Sequence, residues 1–327
     1  VTEARVAVIG SFVQDLAFKA PLFPSPGETR IGHFFTGPGG KGSNQAVASH
    51  RQGIATIFIG AIGEDLFGDG YLLWTQKEGL PVDLLRTKTP TGAASIVINA
   101  NAENLIVVAL GANDDLTPEH VLSALKRETN LSVVLLQAES NISAAMASLA
   151  YAKSSGLISI FNPAPINPGV TSDLLALADI ITPNETEAAF LAEHIAEAEG
   201  GTDVTALDDE SIASLCSQFP SDATIITLGS QGSLLYQRKA PRAGLRGCAQ
   251  GHVARVPALS GVTPVDTTGA GDAFNGGLAA GLVEFQGDLM RAMKYASVVA
   301  GLSTQREGTA PAMPTRAEVQ RYAEFFS

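Results

Sequence analysis

The sequence predicts an α/β fold: a doubly wound, mostly parallel sheet with helices on both faces, plus a small β-sheet set apart from it. Three observations carry the prediction. Short β-branched runs alternate with longer amphipathic segments along the 327 residues. One of the runs, Val133-Val134-Leu135-Leu136, is continuously apolar, the pattern of a strand buried on both faces. Two turn-rich tracts interrupt the alternation with strand-like pieces of their own.

In chain order, Val6 to Ile9 is the first apolar strand. Phe12 to Thr36 then breaks the rhythm with the turn Pro21-Leu22-Phe23-Pro24-Ser25-Pro26-Gly27 and a short extended stretch, since proline fixes φ and cannot donate to a ladder. Ser43 to Gln52 reads as helix and Thr56 to Ile59 as strand. Gly92 to Leu110 holds two strand-like runs around Asn99-Ala100-Asn101-Ala102-Glu103-Asn104, whose composition favours a hairpin. These two tracts are expected to pair as the small sheet. The alternation then resumes with helix Pro118 to Glu128, strand Val133 to Leu136, helix Ile142 to Ser155 and strand Leu157 to Phe161. It continues through strand Ile180 to Thr182, helix Glu185 to Glu193, helix Asp209 to Phe219 and strand Thr224 to Leu228. Arg238 to His252, rich in Gly, Arg and Ala, reads as a surface loop or an extended hairpin.

Composition narrows the function. Lys and Arg number 21 against 33 Asp and Glu, a net charge of -12, which argues against a duplex-wrapping or anionic-membrane protein. A local cradle of backbone N–H groups for an anion stays open. Cys216 and Cys248 have no CxxC spacing and form no ligand cluster with His194 or His252, so neither a disulfide framework nor structural zinc is expected. Val1-Thr2-Glu3-Ala4-Arg5 leads straight into a strand without a signal-peptide core, and no apolar run is long enough to span a bilayer. The expectation is a cytoplasmic protein with no nucleic-acid and no membrane partner.

The strongest local signal is Val265-Asp266-Thr267-Thr268-Gly269-Ala270-Gly271-Asp272-Ala273-Phe274-Asn275-Gly276-Gly277. Gly269 and Gly271 permit a tight turn whose amides converge at a helix start, where the partial positive charge favours phosphate oxygens. Asp272 in that place suits a base that accepts a hydroxyl proton during in-line phosphoryl transfer. In isolation it reads first as an ordinary carboxylate at a helix N-terminus after a Gly turn, because acidic helix starts are common.

The second signal is Gly37-Pro38-Gly39-Gly40-Lys41-Gly42-Ser43-Asn44-Gln45-Ala46. It contains a literal G-x-G-x-x-G, yet Ile9-Gly10-Ser11 lacks a Gly-rich turn and Thr56 to Ile59 ends in Gly60-Ala61 rather than a ribose-binding acid. A Walker A reading fails because its first Gly falls on Phe35 and Lys41 is followed by Gly42. What remains is a Gly-Gly turn that brings backbone close to a ligand, with Asn44 offering a donor and an acceptor to hydroxyls. The alternative is a tight turn capped by Ser43.

Together the two segments resemble the ribokinase-like (PfkB) carbohydrate kinase family, with its early Gly-Gly and late D-T-x-G-A-G-D signatures. Further segments follow in the family's order: Gly10-Ser11 with Asp15, Pro26-Gly27-Glu28-Thr29, Gln137-Ala138-Glu139-Ser140, Asn162-Pro163-Ala164-Pro165, Thr182-Pro183-Asn184-Glu185-Thr186-Glu187-Ala188 and Thr227-Leu228-Gly229-Ser230-Gln231-Gly232. The motifs run from Gly10 to about Pro314.

The resemblance implies an ATP-dependent kinase acting on the primary hydroxyl of D-ribose. It implies a kinase domain of residues 1–11, 37–91 and 111–327, with the small sheet of 12–36 and 92–110 as its lid. Asp15, Gly40, Lys41, Gly42, Ser43, Asn44 and Glu139 would line the sugar site, and Gly269, Ala270, Gly271 and Asp272 would perform the transfer. Asn184 and Glu187 would organise Mg²⁺ and phosphates through water, although their spacing also makes a capping box. Thr227, Gly229, Ser230 and Gly232, with Gly271, would meet ATP. A K⁺ site would draw on Asp266, Thr268, Ser303, Arg306, Gly308 and Ala312, largely through backbone oxygens. The alternating Ile96, Ile98, Ile106 and Val108 against Val97, Val107 and Ala109 leave both lid faces apolar, which implies a homodimer through the lid.

The sequence departs from the family at Gly10-Ser11-Phe12-Val13-Gln14-Asp15, where Val13 stands in the place of a polar Asn. Gln14 is the candidate to compensate, though one residue along a strand turns to the other face. A kinase for another furanose, a keto-sugar acid or a nucleoside is thus a second reading, and a catalytically silent sugar or nucleotide sensor a third.

Overall fold

The computed structural model describes residues 5–101, 103–196, 203–239 and 244–327. Residues 1–4, Ala102 of the expected hairpin turn, 197–202, and 240–243 of the Arg238 to His252 tract lie outside them. The first half of the chain forms strands β1 (Val6–Ile9), β2 (Val13–Lys19) and β3 (His33–Gly39), helix α1 (Lys41–His50), strand β4 (Thr56–Gly63) and helix α2 (Leu66–Glu78). Strands β5 (Val82–Thr87), β6 (Gly92–Ile98) and β7 (Asn104–Ala109) and helix α3 (Pro118–Arg127) follow. The second half forms β8 (Val133–Gln137), α4 (Ile142–Ser155), β9 (Ile158–Asn162), the short α5 (Ser172–Leu175), β10 (Ile180–Ile181), α6 (Glu185–His194) and α7 (Asp209–Ser217). It closes with β11 (Ala223–Thr227), β12 (Ser233–Gln237), β13 (Val253–Val256), α8 (Ala270–Glu284), α9 (Leu289–Ser303) and the short α10 (Arg316–Val319).

The large sheet has the order β13-β12-β11-β10-β9-β8-β1-β4-β5, parallel from β11 to β5 and antiparallel at the β11, β12, β13 edge. Alternation along β1 separates two cores. Val6 and Val8 face α1, α2, α8 and α9, whereas Ala7 and Ile9 face α3, α4, α6 and α7. β12 and β13 pair antiparallel on either side of the Arg238 to His252 tract, whose described residues carry no strand and form the connection between them, the loop of its two readings.

Local chemistry sets the helix ends near the site. Helix α1 starts two residues earlier than the pattern predicted, directly after Gly40 at φ 85°. A Cβ on Gly40 would lie 2.6 Å from the Val13 nitrogen, so the close approach of this turn to β2 requires glycine. Ser43 caps nothing: it lies within α1, where its Oγ accepts from the Tyr71 hydroxyl at 2.8 Å, which sets aside the capped-turn alternative. α4 has the predicted bounds, opened by Asn141 Oδ1 accepting from the Ser143 and Ala144 amides and closed by Gly156 at φ 75°.

The small sheet has the order β3-β2-β6-β7, with β2 and β6 parallel and the outer pairs antiparallel. Residues opposite one another share a face. Asp15 therefore lies on one face with Gly37, Ala94 and Val108, and the next row of that face is Ala17, Phe35, Ile96 and Ile106. β3 passes its chain straight into α1, which connects this sheet to the main body at the Gly39-Gly40 turn.

Candidate active site

Strand C-termini and helix N-termini converge at one end of the large sheet. Gln137 ends β8, Asn162 ends β9 and is its partner in register, and α1, α6 and α8 all begin close by. Between them lies a cleft of about 170 Å³ with Lys41, Asn184, Glu187, Gly271, Asp272 and Asn275 on its wall.

On the side of the small sheet, Glu139 follows β8 and is buried. Its Oε2 accepts from the Ser11 hydroxyl at 2.5 Å and from the Lys41 amide at 2.8 Å, which fixes the carboxylate against the Gly-Gly turn. Ser11, which the sequence marks only as part of the Gly10-Ser11 segment, gains its role here as the donor to Glu139. Asp15 projects from β2 over Gly39, where an added Cβ would lie 2.3 Å from its Oδ2. Burial, then the nearby Glu139 and Asp272 charges, pushes the Asp15 carboxyl up to about 7. Asn44 on α1 donates from Nδ2 to Asp272 Oδ2 at 2.9 Å, while its own Oδ1 is buried with no partner. That oxygen is a ready acceptor for a ligand hydroxyl.

Gln14 does not compensate for Val13. Its Nε2 donates to Thr36 Oγ1 at 2.7 Å and to the Gly37 carbonyl at 2.9 Å, on the other face of β2, while Val13 is 3% exposed. The period-2 geometry of the strand thus decides the question the sequence had raised.

On the other side, Gly269 at φ 78° precedes α8 without any side-chain cap. The Ala270 amide turns back to the Thr267 carbonyl at 3.2 Å, and the first helical bond is Ala273 to Gly269 at 2.8 Å. The amides of Gly271 and Asp272 are therefore the ones the helix leaves for a ligand, and a Cβ on Gly271 would meet nothing within 4 Å. Asp272 is 6% exposed, and its other oxygen, Oδ1, accepts from Gln45 Nε2 at 3.0 Å.

Lys41 is half-buried with its side chain on the cleft rather than in solvent. Burial opposes its charge, but the Asp272, Glu139 and Glu187 carboxylates outweigh it and hold the ammonium above its usual range. Glu187 is itself raised by burial, against the Asn184 amide and Lys41, which pull the other way.

Asn184 and Glu187 form the complete capping box of α6. Asn184 Oδ1 accepts from the Glu187 amide at 2.8 Å, and Glu187 Oε2 accepts from the Asn184 amide at 2.9 Å. Both also line the cleft, and each carboxylate oxygen keeps a further lone pair, a donor set that fits a hydrated Mg²⁺. Thr227 bridges to Asn184 at the end of β11, which brings the Gly229 to Gly232 turn beside α6. Ser230 is exposed on that turn, and Gly232 is confined by the Val256 carbonyl, 2.2 Å from where a Cβ would stand.

The Asp266 loop lies against the Gly269 turn at the start of α8. Asp266 Oδ1 accepts from the Thr268 amide at 2.9 Å and Oδ2 from the Gly308 amide at 3.0 Å, so one carboxylate joins the two segments. The Asp266 amide donates to the Thr304 carbonyl, next to Ser303, and Ala312 closes a turn on Thr309. Thr309 stands 3.4 Å from the Cβ position of Gly269. The Arg306 guanidinium turns away to pair with Glu318, leaving an oxygen-rich loop whose chemistry fits an alkali cation. Among the described residues no cluster of His, Cys, Asp and Glu is arranged to hold a metal, and no helix is long and apolar enough to cross a membrane.

A family model described as pfkB family carbohydrate kinase matches residues 3–316. The chain is 35% identical to a ribokinase of Bacillus subtilis (strain 168) over 319 residues, 97% of this chain and 98% of that one. Its structure is similar to that of ribokinase from Giardia lamblia, with a TM-score of 0.85 and 31% identity over 100% of both chains. It is also similar to Arabidopsis thaliana ribokinase complexed with ribose and ATP, with a TM-score of 0.78 and 27% identity over 98% of both.

Proposed function

The chain belongs to the pfkB family of carbohydrate kinases, and from that premise we propose an ATP-dependent kinase that converts D-ribose to ribose 5-phosphate through its primary hydroxyl. The observation that carries the reading is the 2.9 Å contact of Asn44 with Asp272. It joins the Gly-Gly turn, which faces the small sheet, to the Gly-rich turn of α8, which faces the phosphate side. A sugar held by Asp15, Glu139, Asn44 and the Gly40 to Ser43 backbone places its hydroxyl beside Asp272.

Asp272 then accepts the hydroxyl proton as the new O–P bond forms and the bond to ADP breaks. The Gly271 and Asp272 amides, at the helix start set by Gly269 and Ala270, hold the developing charge of the transferred group. ATP extends from there past Asn184 and Glu187 to Thr227, Gly229, Ser230 and Gly232. Mg²⁺ supplies charge neutralisation of the phosphates, and Asn184 and Glu187 are the groups to hold its water shell. K⁺ belongs with Asp266, Thr268, Ser303, Arg306, Gly308 and Ala312, where it would steady the turn without touching substrate. The small sheet acts as a lid that excludes water, and a second copy of the chain packs on it as a homodimer.

Val13 favours one second reading, a sugar lacking a polar group where ribose has one. A panel of pentoses, deoxypentoses, hexoses, sugar acids and nucleosides with ADP release as readout separates the two. Ribose is expected to give the highest kcat/KM; no turnover of ribose with turnover of another member would overturn the ribose assignment. Asp272→Asn is expected to lower kcat by roughly 10²- to 10⁴-fold while sugar and ATP still bind.

A further inference from the structure

Beneath the two turns lies a chain of neutral side chains whose order is fixed from a backbone anchor. Asn162 Nδ2 donates to the Thr182 carbonyl at 2.8 Å, which leaves Asn162 Oδ1 as an acceptor. Gln45 Nε2 donates to that oxygen at 3.1 Å and to Asp272 Oδ1 at 3.0 Å. The Gln45 carbonyl must then face the other way, and it accepts from Gln137 Nε2 at 2.7 Å. A main-chain oxygen thus dictates the orientation of three amides in turn, and the last consequence is that an N–H points at one oxygen of Asp272. Gln45 is fully buried and Gln137 is 1% exposed, so water does not compete for these bonds. The space for Gln137 is held open by Gly10, where a Cβ would lie 1.9 Å from Gln137 Oε1.

We propose that Gln45 is a positioning residue for Asp272: with Asn44 on Oδ2 and Gln45 on Oδ1, the carboxylate is locked in the plane that presents it to the acceptor hydroxyl, and Gln137 keeps Gln45 in register. The inference rests on Asp272 being the base of the proposed transfer. A carboxylate held at one oxygen only can rotate about its terminal bond, and a base that is misaligned loses rate more than binding. Gln45 touches the reacting groups only through Asp272, which separates its role from that of Asn44, whose Oδ1 has no partner in the protein and is open to a ligand donor.

The test is steady-state kinetics on the full chain with ribose and ATP each varied. Gln45→Leu keeps the bulk and removes both donors; kcat is expected to fall roughly 10- to 100-fold, with both KM values within about 3-fold of the parent. Gln137→Leu, which does not reach Asp272, is expected to lower kcat in the same sense by less. The double variant is expected to be no slower than Gln45→Leu, because the two act through one chain of bonds. Parent kcat in either single variant, a loss confined to KM, or additive losses would overturn the inference. If Gln45→Leu does not fold, as read by its thermal melt, Gln137→Leu decides alone. Asp272→Asn is assayed alongside: if it keeps turnover, the base assignment itself falls, whereas an inactive Asp272→Asn with a fully active Gln45→Leu removes only the positioning role.

Discussion

Asp15 gives the site a pH dependence whose sign differs between binding and stability. Its carboxyl, pushed up to about 7 by burial and by Glu139 and Asp272, must be ionised to accept two sugar hydroxyls. The kcat/KM for sugar is therefore expected to fall by up to ~10-fold per unit once the pH drops below that value, and Asp15→Asn to remove this limb along with most sugar affinity. Stability runs the other way. The folded protein binds the Asp15 proton more tightly than the unfolded chain, so the contribution of this group is full below 3.8 and is lost as the pH rises through about 7. A thermal-melt series without sugar should show that loss, and one with saturating sugar should reduce it. Val13 makes a second prediction at this scale. Val13→Asn supplies a polar group two residues from Asp15 on the same face; ribose KM is expected to fall roughly 2- to 10-fold, the equivalent of about 0.5 to 1.5 kcal/mol for a net hydrogen bond. An unchanged or higher KM in a ribose assay would show that the apolar wall suits the sugar this enzyme takes.

Among the elements, the Asp266 loop is the one whose order bears on the transferring turn. Asp266 ties Thr268 to Gly308, and Thr309 packs against Gly269, so slack in this loop reaches the amides of Gly271 and Asp272. K⁺ at matched ionic strength is expected to raise kcat well above that in Na⁺, with little change in either KM, and Asp266→Ala to abolish the difference; equal rates in the two salts would show that hydrogen bonds alone hold the loop. The same elements show what a sequence makes legible. α4 has a side-chain cap, a helical body and a Gly stop, and β8 is an unbroken apolar run, so each announces itself locally. α2 does not, because Leu66 and Leu73 are exposed while Gly68, Tyr71 and Thr75 face inward, which inverts the usual amphipathic pattern. In the site, Asp272, Asn44 and Glu139 stand in glycine-marked or strand-end positions that sequence can flag. Gln45, Gln137 and Asn162 are neutral amides brought together across as many as 117 residues of chain, and only the packing of distant elements makes them one another's partners. The one local trace was a polar residue closing a buried strand, as Gln137 does in β8 and Asn162 in β9.

At the scale of the whole molecule, β1 is central: the chain leaves it toward β4 and β5 on one side and returns to β8, β9 and β10 on the other. Ligands in open α/β sheets gather outside strand C-termini at such a reversal, and the candidate site lies there. The small sheet stands over it, joined to the main body where the chain passes from β1 to β2, from β3 to α1, from β5 to β6 and onward from β7, and several of its large apolar residues are left to solvent. Phe35 is 48%, Ile106 48% and Val108 43% exposed on the face that carries Asp15. That face offers a continuous apolar row, Ala17, Phe35, Ile96 and Ile106, of the kind that two sheets bury when they pack face to face. A second copy placed there would cover the row and brace the strand that presents Asp15, so assembly and sugar binding should be linked. Sedimentation at micromolar concentration is expected to give a dimer. Ile106→Lys puts a charge at the β7 end of the row and is expected to yield monomers with a raised sugar KM and an ATP KM near that of the parent. A parent protein that sediments as a monomer, or an Ile106→Lys monomer with unaltered sugar KM, would break the link between the lid surface and the site.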